Sequence, residues 1–495
     1  MPSRRHVLTS LAAASGALTD LPAIARDRRS DRLALGMALE PPALDPTTGA
    51  ASAIGEIVLY NVFETLTRIN EDGSVGPLLA QSWETSADLR TTTFRLRPGV
   101  KFQDGKALDA QAVKFSFDRA GGEKSANKDR ATFANLTTRV ADSLTVAVTH
   151  AQIEPDLPFL LGQATAAIVE PGSAATNASK PVGSGPYRLG SWRRGASLTL
   201  AAWPGHRDAG RLAIRQATFL FIPDAAAQVA ALLAGDVDVF ARAAPRSLPQ
   251  FKADARYQTL AGGSRAKTIL AFNHRRKALQ DIRVRRAICA ALDRRALIDG
   301  AADGLGVPIG SHYVPGAFGY VDTTGVNPHD LPKARRLLAE AGVKNLTLDL
   351  TLPPPSYARQ GGEIVIAQLA QAGITARPRN VEWAQWLSGT YGRGDYDLTL
   401  ISHVEPFDLG NFAKPGYYWG YRSGRFDALW GELQRTPRPA DRARLLGDIQ
   451  RLLAEEAVHG FLFQPQALTI ADKGIKGLWK DMPVAVNDLC AMSWT

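Results

Sequence analysis

Between positions 383 and 421 the chain gathers Trp383, Trp386, Asp395, Tyr396 and Asp397, then His403, Glu405 and Asp408 around Pro406, then Tyr417, Tyr418, Trp419 and Tyr421. Aromatic walls with a few ionisable anchors are what a small-molecule pocket requires: rings supply apolar contact, a carboxylate grips an ammonium group, and an imidazole hydrogen-bonds or ligates a metal. The competing reading puts the rings in a core and leaves the acids as solvated loop residues. His403 by itself suits a structural hydrogen bond as well as a ligand contact.

Catalytic and cofactor motifs are missing. The 8 histidines form no His-x-His or His-Glu-x-x-His pattern and there is no Cys-x-x-Cys, so no zinc spacing exists and neither a metal nor a cofactor is expected. Ser184 follows Val182-Gly183, where a nucleophile elbow needs glycine at the first of these positions, and Pro186 follows; it reads as a turn residue. Ala266 replaces the glycine a phosphate loop places before its lysine, here Lys267, and the run 304–310 misses the dinucleotide spacing and carries Pro308. No nucleophile–base set is recognisable, so no catalytic residue and no enzyme is expected.

The elements that must position the aromatic–acidic cluster alternate between strands and capped helices. Strands are predicted over 32–39, 92–96, 143–148, 187–189, 198–201, 217–222 and 236–240, with helices over 54–63 and from Asp109 to 117. Asp224 caps a helix stopped by Gly235, and 181–186 (Pro-Val-Gly-Ser-Gly-Pro) is the densest turn signal, a lobe boundary. In the second half strands are predicted over 269–273, 346–352, 396–402 and 460–463, and helices over 281–298, 330–341, 364–371, 426–433 and 442–455. This grammar means an α/β chain with mixed sheets, and it puts the cluster on loops at the carboxyl end of strand 396–402, where open α/β sheets bind ligands.

The first residues read as an export address. Arg4-Arg5, an apolar stretch from Leu8 to Ile24 and Ala23-Ile24-Ala25 form the n-region, h-region and cleavage site of a signal peptide over 1–25, so the mature chain would start near Arg26 in the periplasm. The arginine pair favours the twin-arginine route; Val7 in place of phenylalanine and Asp20 in the apolar stretch leave the general route open. No cysteine follows that could carry a lipid and no later segment is apolar for the ~18 residues of a membrane span, so no anchor is expected. The 495 residues allow two to four lobes, and the 2 cysteines, Cys289 and Cys490, allow at most one bridge. A net charge of +10 would steer anions, but the basic residues are scattered without a dense run, and no nucleic-acid partner is expected.

Several ordered stretches together resemble the extracellular solute-binding protein family 5, the dipeptide, oligopeptide and nickel receptors of ABC importers. They are 61–67 (Asn-Val-Phe-Glu-Thr-Leu-Thr), 77–83, 94–102 with Asp104-Gly105, 109–119, 182–187, 233–238, Phe272-Asn273, 281–287, Asp293-Arg294 and 333–342. The resemblance implies a class II periplasmic-binding-protein fold, α/β, with two main lobes joined by a hinge plus an inserted third lobe. Lobe I would take 26–58, 180–268 and 469–495, lobe II 59–179, and lobe III 269–468, with the ligand enclosed between lobes I and III. By the same resemblance Trp383 matches a pocket tryptophan, the loop after Ser402 matches the one presenting an amine-binding aspartate, and Phe240 and Arg242 line the cleft from lobe I. Glu405 or Asp408 would stand in for that aspartate, and Arg242 would hold a ligand carboxylate. Together with Tyr417, Tyr418, Trp419 and His403 these are the expected ligand-binding residues. The implied function is a monomeric periplasmic receptor that passes a small peptide or peptide-like solute to a membrane permease. A nickel or metal-chelate receptor using His403 is the alternative, and a secreted hydrolase the rival from another class.

Overall fold

A computed structural model describes residues 30–49 and 51–495; the export segment over 1–25 lies outside the described residues. A 12-stranded mixed sheet runs, edge to edge, through Thr375–Asn380, Thr347–Leu352, Leu398–His403, Lys267–Phe272, His459–Asp472, Val239–Phe240, Arg32–Met37, Gln216–Phe221, Ser197–Ala202 and Tyr187–Arg193. The 14-residue strand His459–Asp472 belongs to both halves of this sheet. Its first part pairs with Lys267–Phe272 and Gly306–Pro308, and its second with Val239–Phe240 and Tyr257–Gly263. Tyr257–Gly263 and Lys267–Phe272 follow one another in sequence, so two antiparallel chain segments carry the connection between the halves. Each half has its own apolar core, and a third core fills the body built on the antiparallel sheet Ala80–Thr85, Thr91–Leu96, Thr145–His150 and Leu136–Asp142.

Local chemistry explains most boundaries. Asp109, Asp224, Asp281, Asp293 and Asp330 each accept backbone N–H bonds from the first turn of the helix they open, relieving donors that no helical carbonyl can reach. The continuous helix expected over 281–298 is two helices, Ile282–Ala291 and Arg294–Ala301, because Asp293 stops one and caps the next. The helix expected over 364–371 starts earlier, as Ser356–Gln371. Its Gly361 and Gly362 are there for contact: a Cβ on Gly362 would stand 2.5 Å from the Leu352 side chain. The helix expected over 54–63 ends at Val58, where Leu59 bridges to Phe63 and Tyr60 takes a positive φ of 61°.

Two of the quoted motifs have plain structural roles. Gly183 and Gly185 lie on the backbone of 61–62, where Gly185 N donates to Val62 O, and a Cβ on Gly183 would stand 1.9 Å from that same oxygen. Asn273 ties the end of its strand to the neighbouring loop by donating to Gly394 O and Tyr396 O at 2.9 and 2.8 Å.

Candidate functional site

A cleft of about 1000 Å³ opens where the three bodies meet. One wall comes from 46–49, 51–59, 242–245 and the tail 482–485; another from the loop 404–414; a third from 128–133 and 160–165; and residues 264–266 and 465–468, beside the strands that connect the two halves, complete it. The loop 404–414 leaves the carboxyl end of Leu398–His403, as the strand order requires.

Within that loop two neighbouring acids have opposite settings. Asp408 is buried; its Oδ1 accepts from Lys267 Nζ at 2.7 Å, and His312 Nε2 stands 2.8 Å from its Oδ2. Burial works against ionisation of Asp408, but His312 and the Lys267 ammonium overcome it and hold the carboxyl well below the ordinary carboxylate range. Burial pushes His312 down to about 4 despite the pull of Asp408, so at neutral pH the ring is uncharged, donates through Nε2 and leaves Lys267 as the formal counter-charge. Glu405, by contrast, keeps a side chain 64% exposed and lines the cleft. His403, whose Nδ1 lies 3.8 Å from Glu405 Oε2, holds that carboxyl down at about 2, so it is a carboxylate at any physiological pH.

The other expected contact residues divide by position. Arg242 lines the cleft with a φ of 59°, and its guanidinium is bonded to Glu56. Phe240 is fully buried and packs over Gly36, whose Cβ, if present, would stand 2.2 Å from the ring. Tyr418 and Trp419 are buried in an aromatic core with Phe412, Phe426 and Phe461. Phe240, Tyr418 and Trp419 therefore present no side-chain surface to the cleft, contrary to the expectation from sequence; they form the packed support behind it. Tyr417 is half-buried beside them, and Trp383 is 43% exposed, stacked edge-on against Trp386, and like Tyr417 lies outside the cleft lining. Trp386–Arg393 is a π-helix, a form with no sequence signal of its own. His403 is buried, with its Nε2 2.9 Å from Tyr418 Oη.

Sequence reasoning missed Lys267 and His312. Lys267 did carry a signal, as a lone cation just ahead of the apolar run 269–272; His312 carried none. Donor atoms of His312, His403 and Asp408 lie within 4.8 Å of one another, near enough for a metal ion. An ion there would face the Lys267 ammonium, which already balances Asp408, so the donor set is electrostatically complete without it.

A family model for bacterial extracellular solute-binding proteins, family 5, matches residues 74–420. The probable D,D-dipeptide-binding periplasmic protein of Escherichia coli (strain K12) is 26% identical over 486 residues, covering 90% of this chain and 91% of that one. Heme-binding protein A of Haemophilus influenzae is 27% identical over 433 residues, covering 77% and 78%. The solved structure of HbpA2 from Haemophilus parasuis superposes with a TM-score of 0.84 at 22% identity, covering 94% of this chain and 100% of that one, which shows a shared fold. With a family-model match over residues 74–420, most of its length, the chain belongs to the bacterial extracellular solute-binding proteins of family 5.

Proposed function

We propose that this protein is the periplasmic receptor of an ABC importer, capturing a small peptide or peptide-like solute in the cleft by hinge closure and delivering it to a membrane permease. Lobes I (26–58, 180–268, 469–495) and III (269–468) close on the ligand, with lobe II (59–179) at their side, and the chain acts as an unanchored monomer without catalysis of its own. The observation that carries the peptide reading is Glu405: an ionised carboxylate facing the cleft, three residues from an acid already neutralised by its own lobe. Closure around a ligand strips water from Glu405, and only a cation from the ligand replaces the lost solvation, as the ammonium end of a peptide does. Closure follows ligand binding because the ligand touches both lobes only in the closed form.

Thermal shift with di- and trialanine of the L and D series tests this, since a ligand for the native state alone raises apparent stability. The expected result is a saturable shift with free amino termini that is lost on N-acetylation, and in Glu405→Gln an affinity weaker by about 10- to 100-fold. Equal shifts with the acetylated series, or full affinity in Glu405→Gln, refute the amine contact. A shift only with chelated nickel that disappears in His403→Ala replaces the peptide reading by the metal-chelate one.

A further inference from the structure

Among the described residues that line the cleft, one cation has neither an ion pair nor a hydrogen bond; Lys414 lacks a counter-ion but donates to Asn411 Oδ1 at 2.9 Å. Lys128 pairs with Asp129, Arg242 with Glu56, and Lys267 with Asp408. Arg265, on the turn between the two connecting strands Tyr257–Gly263 and Lys267–Phe272, forms no hydrogen bond and no ion pair among the described residues. Its guanidinium carbon lies 5.2 Å from the centre of the Phe159 ring, and Phe159 in turn meets Phe407 edge-on at 5.0 Å, in the loop that carries Glu405. The guanidinium also lies close to Gly73, where a Cβ would stand 2.6 Å from Nη2. Arg265 lines both the large cleft and a smaller cavity of about 240 Å³ that adjoins it.

A guanidinium held against a ring and a bare backbone is poorly hydrated, and guanidinium remains charged in proteins, so it cannot escape the cost by losing a proton. Burial pulls its pKa down, and Tyr313 and Asp156 oppose this from beyond ion-pair distance. The planar fork of donors matches a carboxylate, which it binds in two parallel hydrogen bonds.

Resting on the peptide-receptor reading, we infer that Arg265, and not the already paired Arg242, is the anchor for a carboxylate of the ligand, so that the protein selects dipolar solutes whose ammonium meets Glu405 and whose carboxylate meets Arg265. Arg265 sits beside the two strands that join the halves and Glu405 on the loop 404–414 of another wall, so a ligand that carries both charges spans the cleft. The carboxylate is the free carboxyl terminus of a peptide or an acidic side group, and the probes separate the two.

The test is titration of the protein, and of its Arg265→Gln, Arg265→Lys and Arg242→Gln variants, with di- and trialanine as free acids, as C-terminal amides, and as amides bearing one glutamyl side chain. The expected result is that free acids bind the wild type, plain amides bind about 10- to 100-fold more weakly, Arg265→Gln loses the distinction, and Arg265→Lys retains part of it. Recovery of affinity by the glutamyl amides assigns the site to side-chain carboxylates; no recovery assigns it to the carboxyl terminus. The ligand-free melting temperature of Arg265→Gln is expected to equal or exceed that of the wild type, because a cation without a counter-ion has been removed; a lower one with unchanged free-acid affinity makes Arg265 a packing residue and overturns the inference. Equal binding of acids and all amides, or loss of the distinction in Arg242→Gln but not in Arg265→Gln, also overturns it and leaves the peptide reading standing. Absence of binding by any of these probes overturns both.

Discussion

Replacing Lys267 by methionine leaves a buried carboxylate without its counter-charge. The Lys267 and Asp408 side chains are 3% and 4% exposed, with the ammonium 2.7 Å from the carboxylate, and Lys267 also donates to the backbone oxygen of Glu405 at 2.5 Å. Removing one partner of such a pair costs about 3–5 kcal/mol, whereas replacing both costs far less. The expected order of stability in urea is therefore wild type, then Lys267→Met/Asp408→Asn, then Lys267→Met. In the wild type the Asp408 pKa is depressed, so its contribution is present above the unfolded value and disappears as pH falls through the folded one. In Lys267→Met the main remaining opposition to burial is His312, which balances the carboxylate only as a cation, so the sign reverses: the Asp408–His312 pair takes up a proton on folding, and stability is lost as pH rises. The deficit relative to wild type should thus be larger at pH 8 than at pH 5.5, read as the shift in urea midpoint of tryptophan fluorescence. A deficit below about 1 kcal/mol, the ordinary effect of a point substitution, or one that grows on acidification, refutes the account of this pair.

Acid should weaken the ligand-free wild type through its buried imidazoles. His274 and His312 are pushed down to about 4 by burial, and His459 is also depressed, from an ordinary 6.5. Each favours the folded state fully above 6.5 and loses that contribution as pH falls towards 4, several kcal/mol together in order of magnitude. Glu154, raised to about 7 by burial and Asp156, acts in the opposite direction over the same range, so the net fall is the sum of opposed groups; a melting temperature that stays level or rises from pH 7 to 4.5 contradicts the assignment. Separately, Gly183→Ala forces a Cβ to within 1.9 Å of Val62 O, and rigid backbone on both sides should make this over-packing cost at least the ~1–3 kcal/mol usual for cores; a variant as stable as wild type in urea shows that the 181–186 turn can yield.

What could be read from the sequence was local. An aspartate three or fewer residues ahead of a helical run, a glycine at its end and β-branched or apolar strands between them gave the alternation, because caps and turns are decided by neighbours in sequence. The loop after Ser402 was legible for the same reason, as the exit of a strand. The state of its acids was not. Asp408 is neutralised by Lys267 and hydrogen-bonded by His312 across sequence separations of 141 and 96 residues, and Arg242 is neutralised by Glu56 across 186. Only tertiary pairing reveals which charges are satisfied, and therefore which remain for a ligand. Between a core and a pocket for Tyr418 and Trp419 the sequence could not decide, for a related reason: ring type marks affinity for apolar surroundings and does not say whether these belong to the protein or to its ligand.

The internal pair and the proposed ammonium contact are mechanically connected. Lys267 holds two points of one loop, the Asp408 carboxylate and the Glu405 carbonyl oxygen, while Val404 N–H donates to the Glu405 carboxylate at 3.1 Å. The backbone from which Glu405 projects is therefore fixed before any ligand arrives, and less ordering remains to oppose binding. Lys267→Met should then weaken peptide binding as well as stability although Lys267 acts only on the loop, and the Lys267→Met/Asp408→Asn variant should recover stability more fully than affinity, because the asparagine removes the stranded charge but does not replace the anchor on the Glu405 carbonyl. Parallel recovery of both quantities would show that the pair contributes to stability alone and that Glu405 needs no positioning by Lys267.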